Sequence, residues 1–88
     1  MNAITTSELP ATDTEPKRIR AHMDGRPDEV LNSNGKFSPL ENHQEAARLL
    51  LSRMINVPKE ACRKVGWHSQ PLTGGKMVHV YADPRRAL

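Results

Sequence analysis

Four histidines, a single cysteine and a scatter of arginines and lysines are the groups through which this chain of 88 residues can act. Arg18, Arg20 and His22 recur at every second position, as do His68 with Gln70 and His79 with Tyr81. Alternation of that kind collects side chains on one side of a β-strand. If the strands join one sheet, the row mixes cationic donors with flat groups. Nucleic acid needs that mixture, because cations neutralise phosphates while rings and amides meet the bases. The same residues are also ordinary for the solvated side of a two-layer fold.

A second basic group follows Pro58, where Lys59, Arg63 and Lys64 fall within one short helical stretch. With Gln44–Met54 as a first helix, Pro58–Val65 as a recognition helix and a later hairpin tipped by Lys76, the order suits a winged helix. The second helix is barely two turns and starts with proline, so an ordinary helical corner on an α+β core competes with that reading.

Other chemistries find less support. His22, His43, His68, His79 and Cys62 are the available metal ligands, but five and ten residues separate Cys62, His68 and His79, whereas structural zinc ligands come in close pairs. Arg63 and Lys64 beside Cys62 favour a thiolate, yet no signature supplies a base and an oxyanion site with it. Thr73-Gly74-Gly75-Lys76 lacks the frame of a phosphate-binding loop and reads as a hairpin turn. Neither an enzyme nor a bound cofactor or metal is expected.

Composition sets the bounds within which these groups work. A chain this short forms one small domain, and a mean hydropathy of −0.66 with 36% hydrophobic residues is enough for a small core only. No stretch approaches the roughly 18 apolar residues of a membrane span. The first residues lack the basic start and apolar run of a signal peptide, and one cysteine excludes an internal disulfide, so a cytoplasmic location is expected. Residues 1–35 carry six acids against four bases, a net of −2, and residues 36–88 carry nine bases against four acids, a net of +5. The basic part can meet phosphate or an acidic protein surface.

The elements that must position these groups follow from periodicity. Residues 1–16, rich in Thr, Pro and acids, read as a disordered tail. Residues 17–23 alternate as a half-buried strand, broken by Asp24-Gly25 and Arg26-Pro27, and a short helix is expected through residues 28–31. Ser38, Pro39 and Glu41 announce a helix over 39–55, with a capping hydroxyl, a first-turn proline and a capping-box acid. Leu40, His43, Ala47, Leu50, Leu51 and Met54 fall on its apolar side; Glu45, Leu49 and Ser52 point away. After a short second helix closed by Gly66, two alternating runs flank the Gly-Gly turn as a hairpin. Pairing residue 72 with 77 puts Trp67, Ser69, Val78 and Val80 on the core side and His68, Gln70, His79 and Tyr81 outside.

The expected fold is therefore α+β. A small antiparallel sheet, made of the C-terminal hairpin and the 17–23 strand, is packed by one long and one short helix. One domain spans 17–84, best ordered over 37–83, with a frayed basic tail at 85–88. Phe37, Leu40, Leu50, Leu51, Met54, Ile55, Val65, Trp67, Val78 and Val80 make up the expected core, small enough that dimerisation would help it. The expected function is a small binding protein. DNA or RNA is the first partner considered, met by Arg18, Arg20, His22, Arg63, Lys64, His68, Gln70, Lys76, His79 and Tyr81. The alternative is a modulator or inhibitor that docks on an acidic patch of a larger host protein complex, or on an apolar one through Leu49.

Overall fold

The structure, a computed structural model, describes residues 2–64 and 67–81, with the side chains of Asn2, Arg63, Lys64 and Tyr81 outside the description. The expectations for Val65, Gly66, Ala82 and the tail at 85–88 also lie outside the described residues. In chain order the elements are β1 (Asn2–Leu9), β2 (Arg18–His22), β3 (Glu29–Asn32), α1 (Pro39–Ile55), a 3-10 helix (Lys59–Lys64), β4 (Trp67–Leu72) and β5 (Lys76–Tyr81). The strands form one five-stranded sheet in the order β3-β2-β1-β5-β4, antiparallel throughout. The helix α1 packs across one face of it, giving the α+β architecture that the periodicity predicts.

The helix starts and stops where its terminal residues satisfy the backbone. Ser38 Oγ accepts from the Glu41 N–H at 3.2 Å and donates to Glu41 Oε1 at 3.1 Å, and Pro39 opens the first turn. At the other end Asn56 takes the left-handed conformation, φ 56°, and its N–H returns to the Ser52 carbonyl. Asn42 ties the incoming loop to this helix, since its Oδ1 accepts from the Asn34 N–H and its Nδ2 donates to the Asn34 carbonyl.

The largest departure from the sequence reading is β1. Residues 2–9, expected in a disordered tail, pair with β2 on one side and β5 on the other and so occupy the middle of the sheet. Only residues 10–16 form an exposed loop, turned by Thr12, whose Oγ1 accepts from the Glu15 N–H. Residues 29–32 are a strand rather than a helix. Gly25, at φ 79°, turns the chain so that Val30 can pair with Arg20, and four residues are too few for a stable helix.

The hairpin also differs by one residue. Leu72 pairs with Lys76, leaving 73–75 as the loop, because Gly74 and Gly75 both take positive φ, 78° and 74°. A shift of one position sends every side chain of β5 to the opposite face. Val78 and Val80, expected in the core, lie on the uncovered face, and His79 lies in the core instead. Tyr81 pairs with Trp67, out of step with the His68–Gln70 row.

The core is Ile4, Ile19 and Ala21 from the sheet, Ala46, Ala47, Leu50 and Leu51 from α1, and Cys62 from the 3-10 helix, with Trp67, Leu31, Met54 and Ile55 packed around it. Phe37 and Leu40, expected inside, are 36% and 43% exposed, because they stand at the entrance to α1 beyond the edge of the sheet. Glu45 and Ser52 are buried rather than solvated, since the 3-10 helix covers that flank. The Glu45 carboxylate is matched there by Arg48 at 3.3 Å and Lys59 at 3.1 Å. Leu49 is half-buried beside a groove shared with Val57, Pro58 and Lys59. The winged-helix arrangement does not form: the would-be recognition helix is a 3-10 segment, and the would-be wing is bonded to β1 inside the sheet.

Candidate functional site

One face of the sheet carries α1; the other is bare among the described residues. The register sets out the bare face in rows. Val30, Arg20, Ser7, Lys76 and Leu72 lie in one row from β3 to β4, and His22, Thr5, Val78 and Gln70 in the next. Ala3, Val80 and His68 make a third row, and Arg18 stands beside Leu9 and Asn32 at the opposite end. Arg18, Arg20, His22, His68, Gln70 and Lys76 therefore do share one surface. His79 does not belong to it, and Arg63 and Lys64 sit on the 3-10 helix, away from the sheet.

The cations on the β2 side of this face are already engaged. Arg18 reaches Glu15 at 2.6 Å, and Arg20 Nε lies 3.8 Å from Asp28. His22 has Asp28 at 2.7 Å on Nδ1 and Asp24 at 3.4 Å on Nε2. A carboxylate at each nitrogen favours the protonated ring, and the hydrogen bond with Asp28 is the main cause of its raised pKa. With both nitrogens committed, His22 has no lone pair with which to act as a base. Lys76 alone in this row has no acid within ion-pair distance among the described residues. The β5–β4 side is different in kind: Ala3, Val78 and Val80 form its middle, with Leu72 46% exposed at its edge.

Behind the sheet lies a second constellation that the sequence reading missed. Thr6 Oγ1 stands 2.6 Å from His43 Nδ1 and 2.8 Å from His79 Nε2. Ser69 Oγ lies 2.8 Å from His79 Nδ1 and accepts from Gln44 Nε2 at 3.1 Å. On the far side His43 Nε2 faces Glu8 at 3.7 Å, and Glu8 also pairs with Lys17 at 3.3 Å. Burial lowers the His43 pKa against the pull of Glu8, and burial with the nearby His43 and Arg48 lowers that of His79 to about 4.

Carboxylate, imidazole and hydroxyl in sequence resemble a hydrolytic relay, but Thr6, His79 and His43 are all closed to solvent. No substrate can reach the hydroxyl, so the cluster is structural. Cys62 is buried too, and burial raises its thiol pKa, the opposite of what a nucleophile needs. The four histidines are divided between core (His43, His79) and open face (His22, His68), and no metal-holding group of three or more His, Cys, Asp or Glu occurs among the described residues. No described helix is long and apolar enough to cross a membrane.

Residues that the sequence reading left out of the face are Ala3, Thr5, Ser7 and Asp28. Their signal was the alternation Thr5, Ser7 against Ile4, Thr6, visible only once residues 2–9 are taken as a strand. No family model matches the chain, and comparison with curated proteins and with solved structures found no match either.

Proposed function

We propose that this is a non-enzymatic binding module that docks a protein partner on the bare sheet face, as a modulator or inhibitor of a larger complex would. The observation that carries this reading is how charge and apolar surface divide that face. Arg18, Arg20 and His22 are held by Glu15, Asp28 and Asp24, so a polyanion gains little counterion release from them. Among the described side chains of that face its bases would meet imidazoles as the flat rings, since Trp67 lies on the covered side against His79. Ala3, Val78, Val80 and Leu72, rimmed by Lys76, Gln70 and His68, are instead the apolar centre and polar rim of a protein interface. The fitting partner surface is apolar at its middle and carries an acid opposite Lys76.

The test is capture from a nuclease-treated extract with the wild-type chain and with Val80→Asp, whose fold is checked by its amide spectrum. A stoichiometric protein retained by the wild type and lost by the variant supports the reading. Loss of every retained protein on nuclease treatment, with an untreated extract yielding nucleic acid alone, bound with an affinity that falls steeply with salt, overturns it in favour of a nucleic-acid regulator.

A further inference from the structure

The ionic half of the bare face has a depression of about 320 Å³ lined by Thr5, Ser7, Arg20, His22, Asp28 and Lys76. Ser7 is its centre, for the register sets Arg20 directly beside it on β2 and Lys76 directly beside it on β5. Directly paired residues hold their Cβ atoms about 5 Å apart, so the two cationic side chains rise from either side of one hydroxyl. Thr5 adds a second hydroxyl in the next row, between His22 and Val78.

Donors outnumber acceptors here. The ammonium, two hydroxyls and the terminal nitrogens of the Arg20 guanidinium, which faces Asp28 through Nε alone at 3.8 Å, are left to donate to a small anion, whereas the sole carboxylate of the lining, Asp28, is occupied by His22. We propose that this depression is a seat for a tetrahedral dianion of the phosphate class, held by Arg20, Lys76 and the Ser7 and Thr5 hydroxyls. Arg20 offers a planar fork and Lys76 a point charge, and the pair brackets the anion. His22 contributes its charge rather than a hydrogen bond, because both its nitrogens face carboxylates. The seat shares Lys76 with the rim of the proposed docking surface but otherwise uses the ionic side of the face, and its test with small anions reads it separately from any protein partner.

The experiment is titration of the labelled full chain with sodium sulfate or inorganic phosphate, followed by amide chemical shifts at constant ionic strength with chloride as the balancing anion. The expected result is saturable shifts at Thr5, Ser7, Arg20 and Lys76 with a Kd on the order of 1 mM. Arg20→Gln and Lys76→Gln each weaken it about tenfold, and Lys36→Gln, remote from the sheet face, leaves it unchanged. Sulfate does not change its charge as the ring titrates, so its affinity should fall several-fold as pH is raised through the titration of His22, whose pKa the neighbouring carboxylates raise. The groups acting on that titration are Asp24, Asp28 and Arg20 around the ring and Lys76 across β1. His22→Gln should weaken binding by that same several-fold factor and abolish the pH dependence. Glycerol phosphate binding at least as tightly as inorganic phosphate assigns the seat to a phosphate ester, and weaker binding assigns it to free phosphate; both support the seat. Shifts no larger than those of chloride, or unchanged by the Arg20 and Lys76 substitutions, overturn it.

Discussion

The Thr6 hydroxyl has one proton and faces an imidazole on each side at 2.6 and 2.8 Å, with the Met77 carbonyl farther off at 3.5 Å, so the two short contacts set the protonation of the groups bonded to it. Glu8 can only accept, so His43 carries its proton on Nε2 and presents a bare Nδ1 to Thr6. Thr6 then donates to His43 and must accept from His79 Nε2, leaving His79 Nδ1 to accept from Ser69, which accepts in turn from Gln44. One carboxylate at one end thus directs the whole chain, with both histidines neutral and every donor used once. Burial is the main cause of both lowered pKa values, and protonating either ring would also set a donor against a donor in a site closed to solvent. The sign follows. A histidine whose folded pKa lies below its unfolded value stabilises the fold fully above about pH 6.5, and that stability is lost as pH falls toward the folded value. For His79, held at about 4, the loss between about pH 6.5 and pH 4 is about 3 kcal/mol, and His43 acts in the same direction. The exposed His22, whose pKa is raised, works the other way: its contribution is present at low pH and fades as pH rises through its folded value. The urea midpoint should therefore drop on acidification, and the drop should shrink in His79→Gln. Imidazole resonances of His79 should remain those of the neutral ring down to about pH 5, and a midpoint near 6.5 would refute the network.

The helix α1 was legible because its ends and its stripe agree: Ser38, Pro39 and Glu41 mark the start, and Asn56 with Pro58 marks the stop. The strand β2 was legible because Ile19 and Ala21 alternate with Arg18 and Arg20. The β4–β5 hairpin was legible as a hairpin and illegible in register. Its two valines made the wrong face look like the core, and nothing local shows that His79 has Thr6 and Ser69 waiting as partners. The register rests on the loop at 73–75, where two successive glycines take positive φ with open space around each. Side chains there meet backbone strain rather than neighbours, about 1 kcal/mol or more per residue. Replacing Gly74 and Gly75 together by alanine should cost about 2 kcal/mol, read as a lower urea midpoint with unchanged slope. A loop that simply lengthened by one residue to relieve the strain would bring Val78 and Val80 inward and expel His79. Preserved stability together with a titrating His79 would report that slip.

Charge that looks asymmetric along the chain is interleaved in space. The acidic lead supplies Glu8 to Lys17 and Glu15 to Arg18, and Asp28 serves Arg20 and His22, so the acids expected in a loose arm temper the basic face. The reason the lead looked loose lies in the polar core. The inward side chains of β1 are Ile4, Thr6 and Glu8, of which only Ile4 is apolar, because the other two face His43 and His79. A strand that buries a hydrogen-bonding network carries no hydrophobic alternation, and the binding face inherited the same blindness, since Thr5 and Ser7 come from that strand. The consequence is severe for a chain that starts at Pro10. Removing β1 parts the sheet into a β2–β3 hairpin and a β4–β5 hairpin with no strand between them, and isolated two-stranded units are marginal in water. The core loses Ile4, and His43 and His79 lose the hydroxyl they share. The truncated chain should show collapsed amide dispersion and no cooperative transition in urea, and a peptide of residues 1–9 added in excess should restore both. A truncated chain that keeps the native spectrum would mean that β1 is an ornament on a sheet able to close without it, and that the seat between Arg20 and Lys76 has the wrong floor.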